Sequence, residues 1–151
     1  MFHYHTGGIG IMAIELDVNS IRMIAGKIDL SVGELVKLIG IKAWTSWVFK
    51  QPVGNPSLWN TKAPDGYVGG QSKFSINMQY GRPDTRLPVN WGGGVPNTPS
   101  IKAQDDYQVL YVTSSIPYMK KLEEEGHSTQ GSHMIKRTIG ELNLELKTAL
   151  R

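Results

Sequence analysis

An α+β domain is predicted, with N-terminal and C-terminal helices packed on a small antiparallel β-sheet and long irregular loops between them. Three observations predict it. Helical hydrophobic spacing is confined to the two ends of the chain. Residues 52–99 hold seven of the eight prolines and eight of the 17 glycines, which excludes a long helix there, because proline lacks an N–H and glycine favours irregular backbone. Short runs of alternating apolar residues, the mark of half-buried strands, occur late in that middle and just after it.

Each element follows from local chemistry. Residues 1–11 read as an extended N-terminal arm. In 12–18, Ile14, Leu16 and Val18 alternate with Ala13, Glu15 and Asp17, giving a short strand or an extended lead-in. Asn19 or Ser20 caps a short helix with Ile21, Ile24, Ala25 and Ile28 on one face. Ser31 and Glu34 form a capping box. The helix behind it sets Leu35, Leu38, Ile39, Ala43 and Trp47 on one stripe and stops near Lys50, because Pro52 biases Gln51 away from helical geometry. A long loop follows over 51–70, with turn chemistry at Gly54, Asn55 and Pro56 and again at Pro64, Asp65 and Gly66. Residues 71–80 read as a strand, with Phe74, Ile76, Met78 and Tyr80 in alternation. A second long loop covers 81–100. Residues 107–114 (YQVLYVTS) make the best strand in the chain. Pro117 opens a short helix closed by Gly126, and Ile135, Ile139, Leu142, Leu146 and Leu150 mark an amphipathic C-terminal helix.

The chain has 151 residues, which fits a single domain over 1–151. Hydrophobic residues make up 40% and charged residues 19%, a globular rather than disordered balance. Cysteine is absent, which removes disulfides, thiolate metal sites and cysteine nucleophiles. The net charge of +3 is spread evenly: residues 1–50, 51–118 and 119–151 carry five basic and four acidic, five and four, and six and five side chains. No basic arm of the kind that grips DNA stands out. No run approaches the ~20 apolar residues of a membrane span, so a soluble, non-secreted chain is expected.

The motifs that carry chemistry elsewhere are weak here. The glycines of 66–70 lack a following Lys-Ser or Lys-Thr, so a turn is expected rather than a nucleotide site. Gly92, Gly93 and Gly94 read as a flexible tip. His3 and His5 share a face if residues 3–5 form a strand, yet no spacing supplies a third metal ligand. Neither Asp105 with Asp106 nor His127 with Ser128 builds a catalytic arrangement. No cofactor, no metal and no enzymatic activity is expected. The acidic run at 123–125 reads as a solvated face, or as a contact to a basic patch such as Lys136 and Arg137 on a neighbouring subunit. Trp44 and Trp47 belong in a core. Trp59 and Trp91 lie in loops, where a tryptophan is either buried by its own loop or anchors in a partner's pocket.

Several segments together resemble a family of tail-completion (head–tail joining, minor tail or neck) proteins of long-tailed bacteriophages. The first is PVGNPSLW at 52–59, followed by APDGYVGG at 63–70. LYVTSSIPY at 110–118 and the stretch from Leu122 to Ser128 continue the likeness, which runs from about Val32 to Leu146. The chain departs from the pattern at 72–78, which lacks the family's basic-aromatic run, and at 131–133. The resemblance implies a virion structural protein assembled in the host cytoplasm. It would form a homo-oligomeric ring, a hexamer or dodecamer. Its implied partners are a tail terminator or tail tube protein and a head-closure or adaptor protein. Genomic DNA would pass through the lumen without sequence recognition, and no membrane is involved. The candidate interface is Trp59, Tyr67, Trp91, Tyr118, Lys121, Glu124 and His127, with one subunit surface on the first loop and the other on the helix after Tyr118. Other readings are a tail-terminator or head-closure subunit of the same particle, a DNA-binding module, which the pI of about 9.1 favours, and a small hydrolase.

Overall fold

A computed structural model describes the chain apart from residues 1, 2, 8, 14–17, 59, 64, 66, 67, 90, 105–108 and 126–132, and gives the backbone alone for residues 3–7, 9–13, 18, 58 and 150. The fold is α+β. Strands β1 (His3–Gly7), β2 (Ile9–Ala13), β3 (Ile76–Tyr80) and β4 (Leu110–Ser114) form one antiparallel sheet in the order β1-β2-β4-β3. The helices are α1 (Val18–Lys27), α2 (Val32–Lys50), α3 (Gln71–Phe74), α4 (Met119–Glu124) and α5 (Met134–Leu150).

The N-terminal segment supplies β1 and β2, so the strand expected over 12–18 lies earlier: only Met12 and Ala13 belong to β2, and Val18 already begins α1. An extended arm left alone would carry a row of unpaired N–H and C=O groups, and pairing β2 with β4 satisfies them. Register then fixes the faces. Met78 and Met12 both pair with Val112, and Ile76 pairs with Ser114. Because side chains alternate along a strand, Ile76, Met78, Leu110 and Val112 share the buried face.

Helix α2 is the spine. Its N-terminus is closed by the expected capping box: Ser31 Oγ accepts from Glu34 N–H at 3.2 Å, and Glu34 Oε2 accepts from Ser31 N–H at 2.9 Å. Its end at Lys50 falls where Pro52 requires it. The expected single stripe is widened and partly displaced. Gly40, Trp44 and Val48 are buried as well, while Leu38 is 41% exposed. The reason is tertiary, because α2 is covered from two sides. One side packs on β3 and β4 through Trp44, Trp47 and Val48. The other packs on α1 through Leu35 and Ile39, which join Ile21, Ile24 and Ala25 in a second cluster that Leu146 of α5 packs against. Trp44 also donates from Nε1 to the Ile76 carbonyl at 2.8 Å, tying helix to sheet.

The strand expected over 71–80 is split. Gly70 adopts φ +94°, residues 71–74 turn as α3, and only 76–80 continue as β3. The expected alternation is preserved at Ile76, Met78 and Tyr80, whereas Phe74 lies in the helical turn. The strand expected over 107–114 is observed as β4 from Leu110, with 107 and 108 outside the described residues. In α5, Ile135 and Leu142 are buried and Ile139 and Leu146 half-buried, as the spacing predicts. Among the described residues, no helix is long and apolar enough to cross a membrane.

Candidate interaction surface

The long loop after α2 is closed at its root. Gln51 leaves helical geometry at ψ 131°. Pro52 then offers its carbonyl to Ser72 Oγ at 3.3 Å. Val53 and Gly54 lie against Gly69, where a Cβ would meet Val53 Cγ1 at 2.9 Å and the Gly54 carbonyl at 3.2 Å. Glycine is required there by this close approach. Within the loop, Asn55 Oδ1 accepts from the Ser57 N–H at 3.1 Å and from Ser57 Oγ at 2.7 Å, an Asx turn that starts a 3-10 turn at Pro56–Leu58. Gln51 itself is buried with both amide atoms unpartnered among the described residues. Such groups disfavour the packed state by about 1–3 kcal/mol each.

The second loop, 81–100, is anchored at two places. Asp84 and Arg86 form the first. Thr113 Oγ1 donates to the Asp84 carbonyl at 2.7 Å, and the Arg86 carbonyl accepts from Asn77 Nδ2 at 3.2 Å and Ser115 Oγ at 3.1 Å. Asn77 and Thr113 alternate with the core residues, so this stretch lies across the sheet face opposite α2. The Asp84 carboxylate accepts from Arg86 Nη2 at 2.6 Å and from the Arg86 N–H at 3.0 Å. The second anchor is Trp91, half-buried, whose Nε1 donates to the Val68 carbonyl at 2.8 Å. One tryptophan thereby joins the two long loops. Next to the junction, Tyr118 donates from its hydroxyl to Gln71 Oε1 at 3.0 Å.

The structure thus ties Trp91 to Val68 and Tyr118 to Gln71. Lys121 and Glu124 stay on the exposed side of α4, paired along the helix with Glu125 and Lys120, each at 3.9 Å. Trp59, Tyr67 and His127 lie outside the described residues. Through Tyr118 and Gln71, the start of α4 adjoins α3 at the end of the first loop.

Glu123 was not legible as a structural residue. It is 4% exposed, not part of a solvated face. Its carboxylate accepts from the Ile135 N–H at 2.9 and 3.1 Å and from the Lys136 N–H at 3.3 Å, and its carbonyl accepts from His133 N–H at 2.7 Å. It therefore caps α5 from α4. Its link to Lys136 lies within one chain and uses the backbone, not the ammonium group. The need for it shows only in the fold: His133, the N-cap, sits at φ 61° and makes no side-chain cap, so the helix takes its acceptor from elsewhere.

A polar cluster joins α2 to α5. Lys50 Nζ donates to Glu141 Oε2 at 2.6 Å and to Ser46 Oγ, and Ser46 Oγ donates to Glu141 at 2.8 Å. Thr138 Oγ1 completes it, 3.2 Å from Ser46 Oγ. A lysine that activates a serine needs a free lone pair to take the hydroxyl proton. Here the ammonium is held by a carboxylate, so the cluster acts as a tie between helices. Among the described residues, no group of three or more His, Cys, Asp or Glu side chains is placed to hold a metal ion. The side chains of His3 and His5 lie outside that description.

Besides Glu34, lowered chiefly by the Ser31 N–H of its capping box, two carboxyls are held below their ordinary values: Asp84 chiefly by the Arg86 hydrogen bond, and Glu141 chiefly by the Lys50 hydrogen bond. A depressed folded value means that stability from these pairs is present above the unfolded value and is lost as pH falls through the folded one. The urea midpoint is expected to stay level down to roughly pH 5 and to fall below it. Asp84→Asn should flatten part of that fall. A midpoint that rises on acidification would contradict both assignments.

No family model, no curated protein and no solved structure matches this chain.

Proposed function

We propose that this chain is a structural subunit of the neck or tail of a long-tailed bacteriophage particle, and not an enzyme. It is read as a tail-completion subunit that joins copies of itself into a ring between tail tube and head connector, with DNA passing through the lumen. The order and spacing of PVGNPSLW, APDGYVGG and LYVTSSIPY support the family. The observation that carries the role is the junction of the two long loops through Trp91 and Val68. It fixes an irregular, partly apolar surface on which Val53, Val68 and Tyr118 remain more than a third exposed. A loop surface held in one shape before contact loses less entropy on binding, which is what a subunit that must dock on neighbours requires.

The test mixes purified chain with isolated tail tubes and follows particle mass by light scattering and tube ends by electron microscopy. Rings, or added density on the tube end, are the expected result. A chain that leaves tubes and head connectors bare would overturn the reading. Trp91→Ala is expected to keep the far-UV spectrum and the core while weakening end-capping by about tenfold or more, the usual effect of truncating a central aromatic anchor. Unchanged capping by this variant would remove the loop junction from the interface.

A further inference from the structure

His3 and His5 take no part in the loop surface, and the fold gives them a place of their own. Residues 3–7 form β1, which ends the sheet order and pairs on its inner side with β2. Successive positions along a strand alternate between faces, so positions 3 and 5 fall on one face of the sheet. Register tells which face. His3 pairs with Ala13 and His5 with Ile11, and Ile11 and Ala13 pair in turn with Thr113 and Tyr111 of β4. Positions opposite one another share a face. Thr113 belongs to the face away from α2, so positions 3 and 5 belong to it as well. Two positions in a strand span roughly 7 Å, a spacing at which two imidazoles can bind one ion.

Two ligands make half a site. Zinc takes four in a tetrahedron and accepts imidazole nitrogen readily. The chain holds four histidines and no cysteine, and His3 with His5 is its one close histidine pair. The matching half is therefore the same pair on another copy. The sheet edge lets that copy approach. The outer side of β1 is a row of backbone N–H and C=O groups, a template for a further strand. Edge strands are commonly guarded by charged side chains or proline, yet residues 1–13 contain no Asp, Glu, Lys, Arg or Pro.

A second β1 laid antiparallel over all five residues has a definite register. His5 stands opposite His5 of the second copy, and His3 stands opposite its Gly7. All four histidine positions then share one face. Directly opposite Cβ positions in such a pair lie about 4.5–5.5 Å apart, and diagonal ones about 7–8 Å. Glycine at position 7 has no side chain to crowd the histidine it faces.

We propose that His3 and His5, together with the same two residues of a second copy, bind one divalent cation of the zinc class and join two β1 edges into one continuous sheet. The proposal stands apart from the neck reading, because it uses neither the long loops nor α4.

The test adds Zn2+ to metal-free chain and follows mass by sedimentation. A dimer is expected, saturating at one zinc per two chains and returning to monomer with EDTA. Co2+ in place of Zn2+ should give the strong visible absorption of a four-coordinate site. His3→Ala and His5→Ala, each folded by circular dichroism, should lose both the dimer and the absorption. His127→Ala and His133→Ala should keep both. No zinc binding, zinc bound by a monomer, or a zinc-dependent dimer that persists in His3→Ala and His5→Ala would each overturn the proposal. Loss of the dimer in His127→Ala or His133→Ala would overturn it too, since the ligands would then come from elsewhere in the chain.

Discussion

Glu123→Ala is expected to lower the stability of the domain by about 3 kcal/mol, one of the largest effects of any single polar substitution here. The carboxylate serves the N–H groups of Ile135 and Lys136, and Ile135 is fully buried. Removing it leaves N–H groups without a partner, and an orphaned buried donor costs about 1–3 kcal/mol. It also removes a negative charge from the N-terminus of α5, where the helix dipole favours one. Glu123→Gln keeps one acceptor oxygen and should lose roughly 1 kcal/mol. Urea unfolding checks this: the midpoint should fall in the order wild type, Gln, Ala, with an unchanged slope. Equal midpoints for wild type and Ala would mean that water caps α5 as well as the carboxylate does. Because Glu124 and Glu125 are exposed, alanine at either should move the midpoint little.

Gly40→Ala is expected to cost about 2 kcal/mol, although alanine is the better helix former by about 1 kcal/mol. Gly40 is where α2 crosses the sheet. A Cβ there would collide with Leu110 Cδ2 and lie 3.1 Å from Met78 Sδ. Leu110 is 3% exposed, so its side chain would have to shift within the core. Overpacking of a filled core typically costs about 1–3 kcal/mol, and it outweighs the gain in helix propensity. Shortening Leu110 to valine in the same chain should recover part of the loss, giving a coupling of about 0.5 kcal/mol or more. Thermal melts of the four members of that cycle are the measurement. An alanine variant more stable than wild type would show that α2 lifts from the sheet at little cost. Gly140 of α5 is the control: nothing lies within 4 Å of its Cβ position, so Gly140→Ala should stabilise the chain.

The contrast between Gly40 and Gly140 shows how much of the fold the sequence states. Both are glycines inside helices with good apolar spacing, and nothing local tells them apart. Elements whose cause lies within a few residues were legible. Ser31 and Glu34 cap α2, Pro52 ends it, and Ile76, Met78 and Tyr80 alternate. Where the cause lies farther along the chain, the local pattern misled. Leu38 fits the stripe of α2 but lies 41% exposed, because α1 and α5 meet at that point and leave a groove. Phe74 fits a strand, but Gly70 turns the chain and the preceding Pro52 carbonyl holds Ser72 in place.

The candidate surface divides in the same way. Trp91 and Tyr118 were singled out as candidate interface aromatics, and each is tied into the stretch 68–71. What joins them is a backbone carbonyl 23 residues from Trp91 and an amide 47 residues from Tyr118. Neither acceptor has a sequence signature, since any residue offers a carbonyl and any glutamine an amide.

The sequence by itself determined the fold class, the ends of α2, the buried face of the sheet and the positions of the two long loops. These follow from proline, glycine, capping and periodicity, whose forces act within about four residues. Only the tertiary structure decided that Glu123 is a cap, that Gly40 is a crossing point, and that Trp91 ties the second long loop to the first. Those depend on which distant segments share space, and chain folding settles that through packing that no local spacing encodes.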